Sequence, residues 1–104
     1  MNSMQKEKKW RCKKYTDWVK TLPSSLSIMP SDDPHHLIDV LFSGANNKPH
    51  DLLVMPLTRL EHSELHHKGS RKWEYDHDIN QAEEVIKTID KAISLGLIEI
   101  KWIG

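Results

Sequence analysis

Apolar residues recur along this chain in two rhythms, one helical and one extended, and each predicts elements. From Trp10 to Leu22 the positions Cys12, Tyr15, Trp18, Val19 and Leu22 fall at helical spacing with lysines between them, and Pro23 stops that helix. "SSLSIMPSDDP" (24–34) is rich in breakers and reads as a loop. "HLIDVLF" (36–42) predicts a strand, "SGANNKPHD" (43–51) a turn, and "LLVMPL" (52–57) a second apolar run cut by Pro56. The two runs together read as a hairpin with a long connection. Thr58 followed by Glu61 is a capping box that starts a helix at Arg59, and Gly69 is placed to end it. "SRKWEYDHD" (70–78) reads as irregular. Asp78 with Gln81 resembles a second cap, after which Ile79, Ala82, Ile86, Ile89 and Ile93 repeat at three and four until Gly96. "LIEIKWI" (97–103) is a short β-prone tail. The expected core is built from the two flanking helices and the hairpin, with no internal repeat or low-complexity tract.

Composition narrows what such a core can be. With 104 residues, 38% of them apolar, the chain reads as a disordered basic tail (1–8) followed by one small domain (9–104). The mean hydropathy is −0.62, and a domain this small and polar gains from a staple, usually a metal where disulfides are absent. Cys12 is the only cysteine, so no intramolecular disulfide or cysteine cluster can form, and Cys12 itself reads as a buried small residue. Histidine, Asp and Glu remain as protein ligands for an internal metal. No apolar h-region follows the lysine-rich start and no run is long enough to span a bilayer, so the default is a soluble, cytoplasmic protein with no membrane partner.

Net charge is zero, but it is unevenly spread. Residues 1–20 carry seven Lys/Arg against Glu7 and Asp17, and the remaining chain carries a matching acidic excess. A basic arm of this kind either tracks a phosphate backbone or is a solvated helix face.

Seven histidines are many for this length. His62 and His66 stand four apart on the Thr58-capped helix, on one face and about 5–6 Å apart at Cβ, where two imidazoles can share a metal. Taken alone, such a pair is also common surface decoration. His67 points about 100° away and reads as a bystander. His35 and His36 begin the first candidate strand, where neighbours face opposite sides, so one can bind an ion while the other acts beside it. Strand, strand, helix with histidines on the first strand and the helix is the layout of a ββα metal finger.

At "DPHHLI", "KPHDLLVMPL" and "EHSELHH" the chain resembles the HNH (His-Me finger) nucleases, and more closely their phage and prophage members of the RecA-dependent Ref type. "YTDWVKTLP" and "WEYDHDINQAEEVIKTIDKAISLGLI" match helices of that subgroup, so the resemblance covers roughly residues 15–98. It implies an α+β fold: a small ββα-metal core (about 35–69) with flanking N- and C-terminal helices. It implies His35, His62 and His66 as ligands of one divalent ion and His36 as the general base. Asp51 matches the central Asn position that braces the loop and orients the base, with His50 as an alternative occupant. Relatives often carry Cys-x-x-Cys after the Leu-Pro turn; here Ser24 and Ser27 stand there, so a second zinc is not expected and the loop is held by packing or is mobile. DNA is the implied substrate and a recombinase filament an implied partner, for a monomer or weak homodimer.

The chemistry needs these residue types whatever the family. Phosphodiester hydrolysis requires an activated water, charge against the phosphorane-like transition state and help for the leaving oxygen. A neutral imidazole can take the water's proton at physiological pH. Three protein ligands with open positions is the catalytic pattern, and an all-histidine set favours Zn²⁺, Ni²⁺, Co²⁺ or Mn²⁺ over Mg²⁺. Lys48, Arg59, Lys68, Arg71 and Lys72 flank the motif as candidate phosphate contacts or as solvated charges. Trp73 and Trp102 read as core or rim aromatics, although "RKWEY" also has the makings of a base-stacking site. Two further readings stay open: a non-catalytic module in which the metal only staples a nucleic-acid-binding domain, and a degenerate nuclease kept for protein interaction.

Overall fold

A computed structural model of the chain describes residues 8–37 and 48–104, and its elements run α1 (Lys13–Val19), β1 (Asp33–His36), β2 (Val54–Leu57), α2 (Arg59–Lys68), α3 (Ser70–His77) and α4 (Gln81–Ser94). This is an α+β fold with a two-stranded antiparallel sheet and four helices, in which β1, β2 and α2 follow one another. The expected disordered tail over 1–8 lies outside the described residues except at Lys8, and so do most of the expected first strand (38–42) and the turn residues 43–47.

The sheet pairs Asp33 with Leu57, Pro34 with Pro56, His35 with Met55 and His36 with Val54. The first strand is thus earlier than the apolar run suggests, and the two histidines close it rather than open it. The facing prolines donate nothing across the ladder. The carbonyl of Pro56 instead accepts from Ser25 N–H at 2.9 Å, so the 24–27 loop covers the second edge of β2. All four residues of β2 are buried, because α1 and α4 both pack against it. Leu37, Met55, Leu57, Leu65, Trp73 and Val85 form one core cluster; Tyr15, Val19, Val54 and Ala92 form a second.

The capping box forms as the spacing predicts: Thr58 Oγ1 accepts from Glu61 N–H at 3.2 Å, and Glu61 Oε1 accepts from Thr58 N–H at 2.9 Å. Glu61 also accepts from Ser24 Oγ, whose oxygen in turn accepts from Leu26 and Ser27 N–H. The loop between α1 and β1 is therefore held by hydrogen bonds onto the first turn of the ligand helix, with Ser24 at the centre. Ser31 Oγ fastens its far end, 2.6 Å from the Leu22 carbonyl.

Five further sequence expectations are corrected. The first helix spans only Lys13–Val19, since Cys12 is extended and residues 10–12 hydrogen-bond to residues 48–51. Residues 70–78 are mostly helical: one buried apolar residue gives no period, but burial of Trp73 and the Lys68–Asp76 and His77–Glu64 contacts hold α3 against α2. Asp78 takes left-handed φ at the end of α3, and Asn80 caps α4 by accepting from Glu83 N–H. The buried face of α4 is Gln81, Val85, Thr88 and Ala92, whereas Ile86 and Ile93 are 63% and 44% exposed. The 97–103 tail forms no strand, and Trp102 is exposed, while Trp73 is fully buried as expected. Cys12 is partly buried. Among the described residues no helix is long and apolar enough to cross a membrane.

Candidate functional site

The end of β1 and one face of α2 meet across an open pocket of about 580 Å³. His35 projects from the strand, and His62 and His66 from successive turns of the capped helix. Ring centroids of His35 lie 4.8 Å from His62 and 5.8 Å from His66, and one nitrogen from each of the three falls within 4.8 Å of the others. His62 Nε2 and His66 Nε2 are 3.0 Å apart. Two imidazole nitrogens on a tetrahedral zinc at ordinary bond lengths stand roughly 3.3 Å apart, so this pair is close to chelating distance already.

In His62 and His35 one ring nitrogen is engaged by a neighbouring side chain. His62 Nδ1 lies 3.2 Å from Asp33 Oδ2, so it carries the proton and leaves Nε2 as a lone pair. His35 Nε2 lies 2.7 Å from Gln81 Oε1, and its Nδ1 is buried with no hydrogen-bond partner among the described residues. A buried ring nitrogen without a partner, on a ring packed against two other imidazoles, is a group that a metal ion could satisfy. Burial lowers the pKa of His35 to about 4, with His62 and His66 repelling a second charge and the Gln81 bond opposing. The ring is thus held neutral, the form that ligates. These residues fit a divalent transition ion.

His36 sits beside this trio but does not join it, as strand alternation predicts. Its Nε2 is 2.9 Å from Asp51 Oδ1, so Nε2 carries the proton and Nδ1 is the lone-pair nitrogen. Partial burial lowers its pKa and outweighs the raising effect of the Asp51 bond, which keeps the ring neutral. Asp51 is buried. Burial pushes its carboxyl up, but bonds from His36, Cys12 N–H and Arg11 together bring it below the usual carboxylate range. Cys12 N–H, at the start of α1, meets Oδ2 at 2.8 Å, and Arg11 Nη1 meets Oδ1 at 3.1 Å. His50 does not compete for the brace role; its Nδ1 accepts from Trp10 N–H at 2.8 Å.

Of the five basic residues picked out by sequence, Lys48 lines this pocket, and Arg59 reaches its wall through Asp33 Oδ1 at 3.5 Å. Lys68, Arg71 and Lys72 instead surround a separate cavity with Tyr75, and Lys68 is engaged by Glu64 and Asp76 at 2.9 and 2.8 Å. His67 is exposed and does not join the trio.

Sequence reasoning missed four residues here. Asp33 was findable, because it lies two before His35 and so shares its strand face. Thr16 and Lys20 line the pocket from α1, four apart on one helix face. Gln81 comes from an element with no sequence tie to the site.

Residues 3–96 match the family model described as "Protein of unknown function (DUF968)". The chain is also 42% identical over 95 residues to the "Uncharacterized protein YdfU" of Escherichia coli (strain K12), a match that covers 91% of this chain and 27% of that protein. The chain thus spans about a quarter of the length of the curated relative it matches. No solved structure matches significantly.

Proposed function

The chain belongs to the DUF968 family, and we propose that it is a metal-dependent DNA endonuclease of the HNH type that hydrolyses phosphodiester bonds. The observation that carries this reading is the pairing of a three-imidazole cluster (His35, His62 and His66) with a neutral His36 whose proton is held on Nε2 by Asp51. A divalent ion held by the three imidazoles would supply positive charge to the scissile phosphate and to the leaving oxygen. His36 Nδ1 accepts the proton of the attacking water, and Asp51 fixes the ring's tautomer and orientation and stabilises the imidazolium that results. Lys48 and Lys20, at the rim of the same pocket, offer cations to the flanking phosphates.

The ββα order of β1, β2 and α2 and the resemblance of the HH and HxxxH elements support this reading. The donor set favours Zn²⁺, Ni²⁺, Co²⁺ or Mn²⁺ over Mg²⁺. The same cluster is also what a purely structural staple would use, so cleavage must decide. Supercoiled plasmid is incubated with the purified protein and each divalent ion in turn. Metal-dependent nicking that His36→Ala reduces by about 10²–10⁴-fold is the expected result. A protein that binds DNA and metal but never nicks, even when a recombinase filament is supplied, would be the non-catalytic module instead.

A further inference from the structure

We propose that Gln81 is the positioning residue of the metal centre: it sets the tautomer of His35 and thereby aims a lone pair, not a proton, at His62 and His66. This rests on the metal site described above and adds a residue outside the histidine motif.

The argument is one of proton placement. A neutral imidazole has one N–H and one lone pair, and only the lone pair can ligate. His35 is 3% exposed, so water does not decide which nitrogen carries the proton. Gln81 is 1% exposed and places its carbonyl oxygen 2.7 Å from His35 Nε2. An oxygen there accepts, so the proton is on Nε2 and Nδ1, otherwise without a partner, is the ligating nitrogen. With the amide reversed, its NH₂ group would donate to Nε2, the proton would move to Nδ1, and the site would lose a ligand.

The backbone of Gln81 is fixed in place. Gln81 is the first residue of α4, and its N–H donates to Glu74 Oε2 of α3 at 2.8 Å, while its amide Nε2 is buried with no hydrogen-bond partner among the described residues. This explains a polar residue on the buried face of α4, where a hydrophobic one would otherwise pack better. Outer partners of this kind typically contribute about 10–100-fold to metal affinity.

The test compares wild type with Gln81→Met, which keeps the length but cannot accept, and Gln81→Glu, which restores an acceptor. Long-range ¹H–¹⁵N spectra of the metal-free proteins read the His35 tautomer, and competition titration with Zn²⁺ and Ni²⁺ reads affinity. The expected result is an Nε2–H tautomer in wild type and Gln81→Glu, lost in Gln81→Met together with about 10–100-fold in affinity. An Nδ1–H tautomer in wild type, or Gln81→Met with unchanged tautomer and affinity, would overturn the proposal. If Gln81→Met does not fold, the Gln81→Glu spectrum decides: loss of the Nε2–H form there overturns it equally. Should wild type bind neither ion, the metal reading fails, while the tautomer spectra still decide what Gln81 does.

Discussion

Asp51→Asn separates the two jobs that one carboxylate does. The wild-type side chain presents acceptors on both sides: Oδ2 to Cys12 N–H, and Oδ1 to Arg11 and to His36 Nε2–H. An amide has one acceptor. If its oxygen faces His36, the NH₂ group confronts the Cys12 N–H at the start of α1, and a buried donor loses its partner. If its oxygen faces Cys12, the NH₂ confronts His36, which must move its proton to Nδ1 to accept and so loses its basic nitrogen. Either way one charge-assisted bond becomes an unsatisfied or reversed contact, a cost of about 1–3 kcal/mol. The Arg11 ion pair adds little, since its guanidinium is 43% exposed. Taking about 2 kcal/mol, Tm should fall by roughly 8–16 °C for a chain of this size. Thermal unfolding followed by circular dichroism measures this, and the His36 tautomer from ¹⁵N shifts tells which orientation was taken. Asn is nearly isosteric with Asp, so the substitution looks conservative; a variant that melts with wild type and keeps Nε2–H on His36 would show that the double-acceptor argument is wrong.

Three further outcomes follow from the same geometry. His62→Ala or His66→Ala should abolish metal binding and any metal-dependent rise in Tm, while His36→Ala keeps both; elemental analysis after dialysis distinguishes them, and a His36→Ala protein without metal beside a His35→Ala protein that retains it would exchange the roles of His35 and His36. Ser24→Ala removes a donor to Glu61 and the acceptor for two loop N–H groups, so it should cost about 1–2 kcal/mol in chemical denaturation, whereas Ser27→Ala, which removes a second donor to Glu61 and an acceptor for Met29 N–H at 3.4 Å, should cost less. In metal-free protein His35 has its pKa lowered from 6.5 to about 4, so the unfolded chain binds the extra proton first and stability is lost as pH falls from 6.5 towards 4, by about 3 kcal/mol in all. His35→Gln should flatten that limb of a Tm-versus-pH curve; a parallel curve for the variant would assign the slope elsewhere.

The parts of this site that follow local rules were legible in the sequence. A capping box fixes where α2 begins, so His62 and His66 had to share a face. Strand alternation set His35 apart from His36. What remained hidden depends on tertiary contacts. The apolar repeat lay off-centre on α4: Ile79, Ala82 and Ile89 pack against the core, but Ile86 and Ile93 are exposed, because Gln81 and Thr88 take buried positions that periodicity assigns to hydrophobes. Helix α3 could not be read from a segment with one buried residue. The charges of "KGSRK" looked like part of the motif in one dimension, yet α3 carries Arg71 and Lys72 to another cavity.

This division bears on how small a working unit can be. The ββα segment holds the three candidate ligands and the candidate base, but His35 and His36 depend for their orientation on groups outside it. His36 is oriented by Asp51, and Asp51 is held by Arg11 and Cys12 at the start of α1. His35 meets Gln81 of α4, whose backbone N–H is held by Glu74 of α3. Only His62 finds its partner, Asp33, within the strand itself. The flanking helices are therefore parts of the site and not only its packing: a fragment confined to residues 31–69 would retain every histidine of the motif while losing the groups that decide which nitrogen of His35 is a lone pair and that anchor the carboxylate beneath His36.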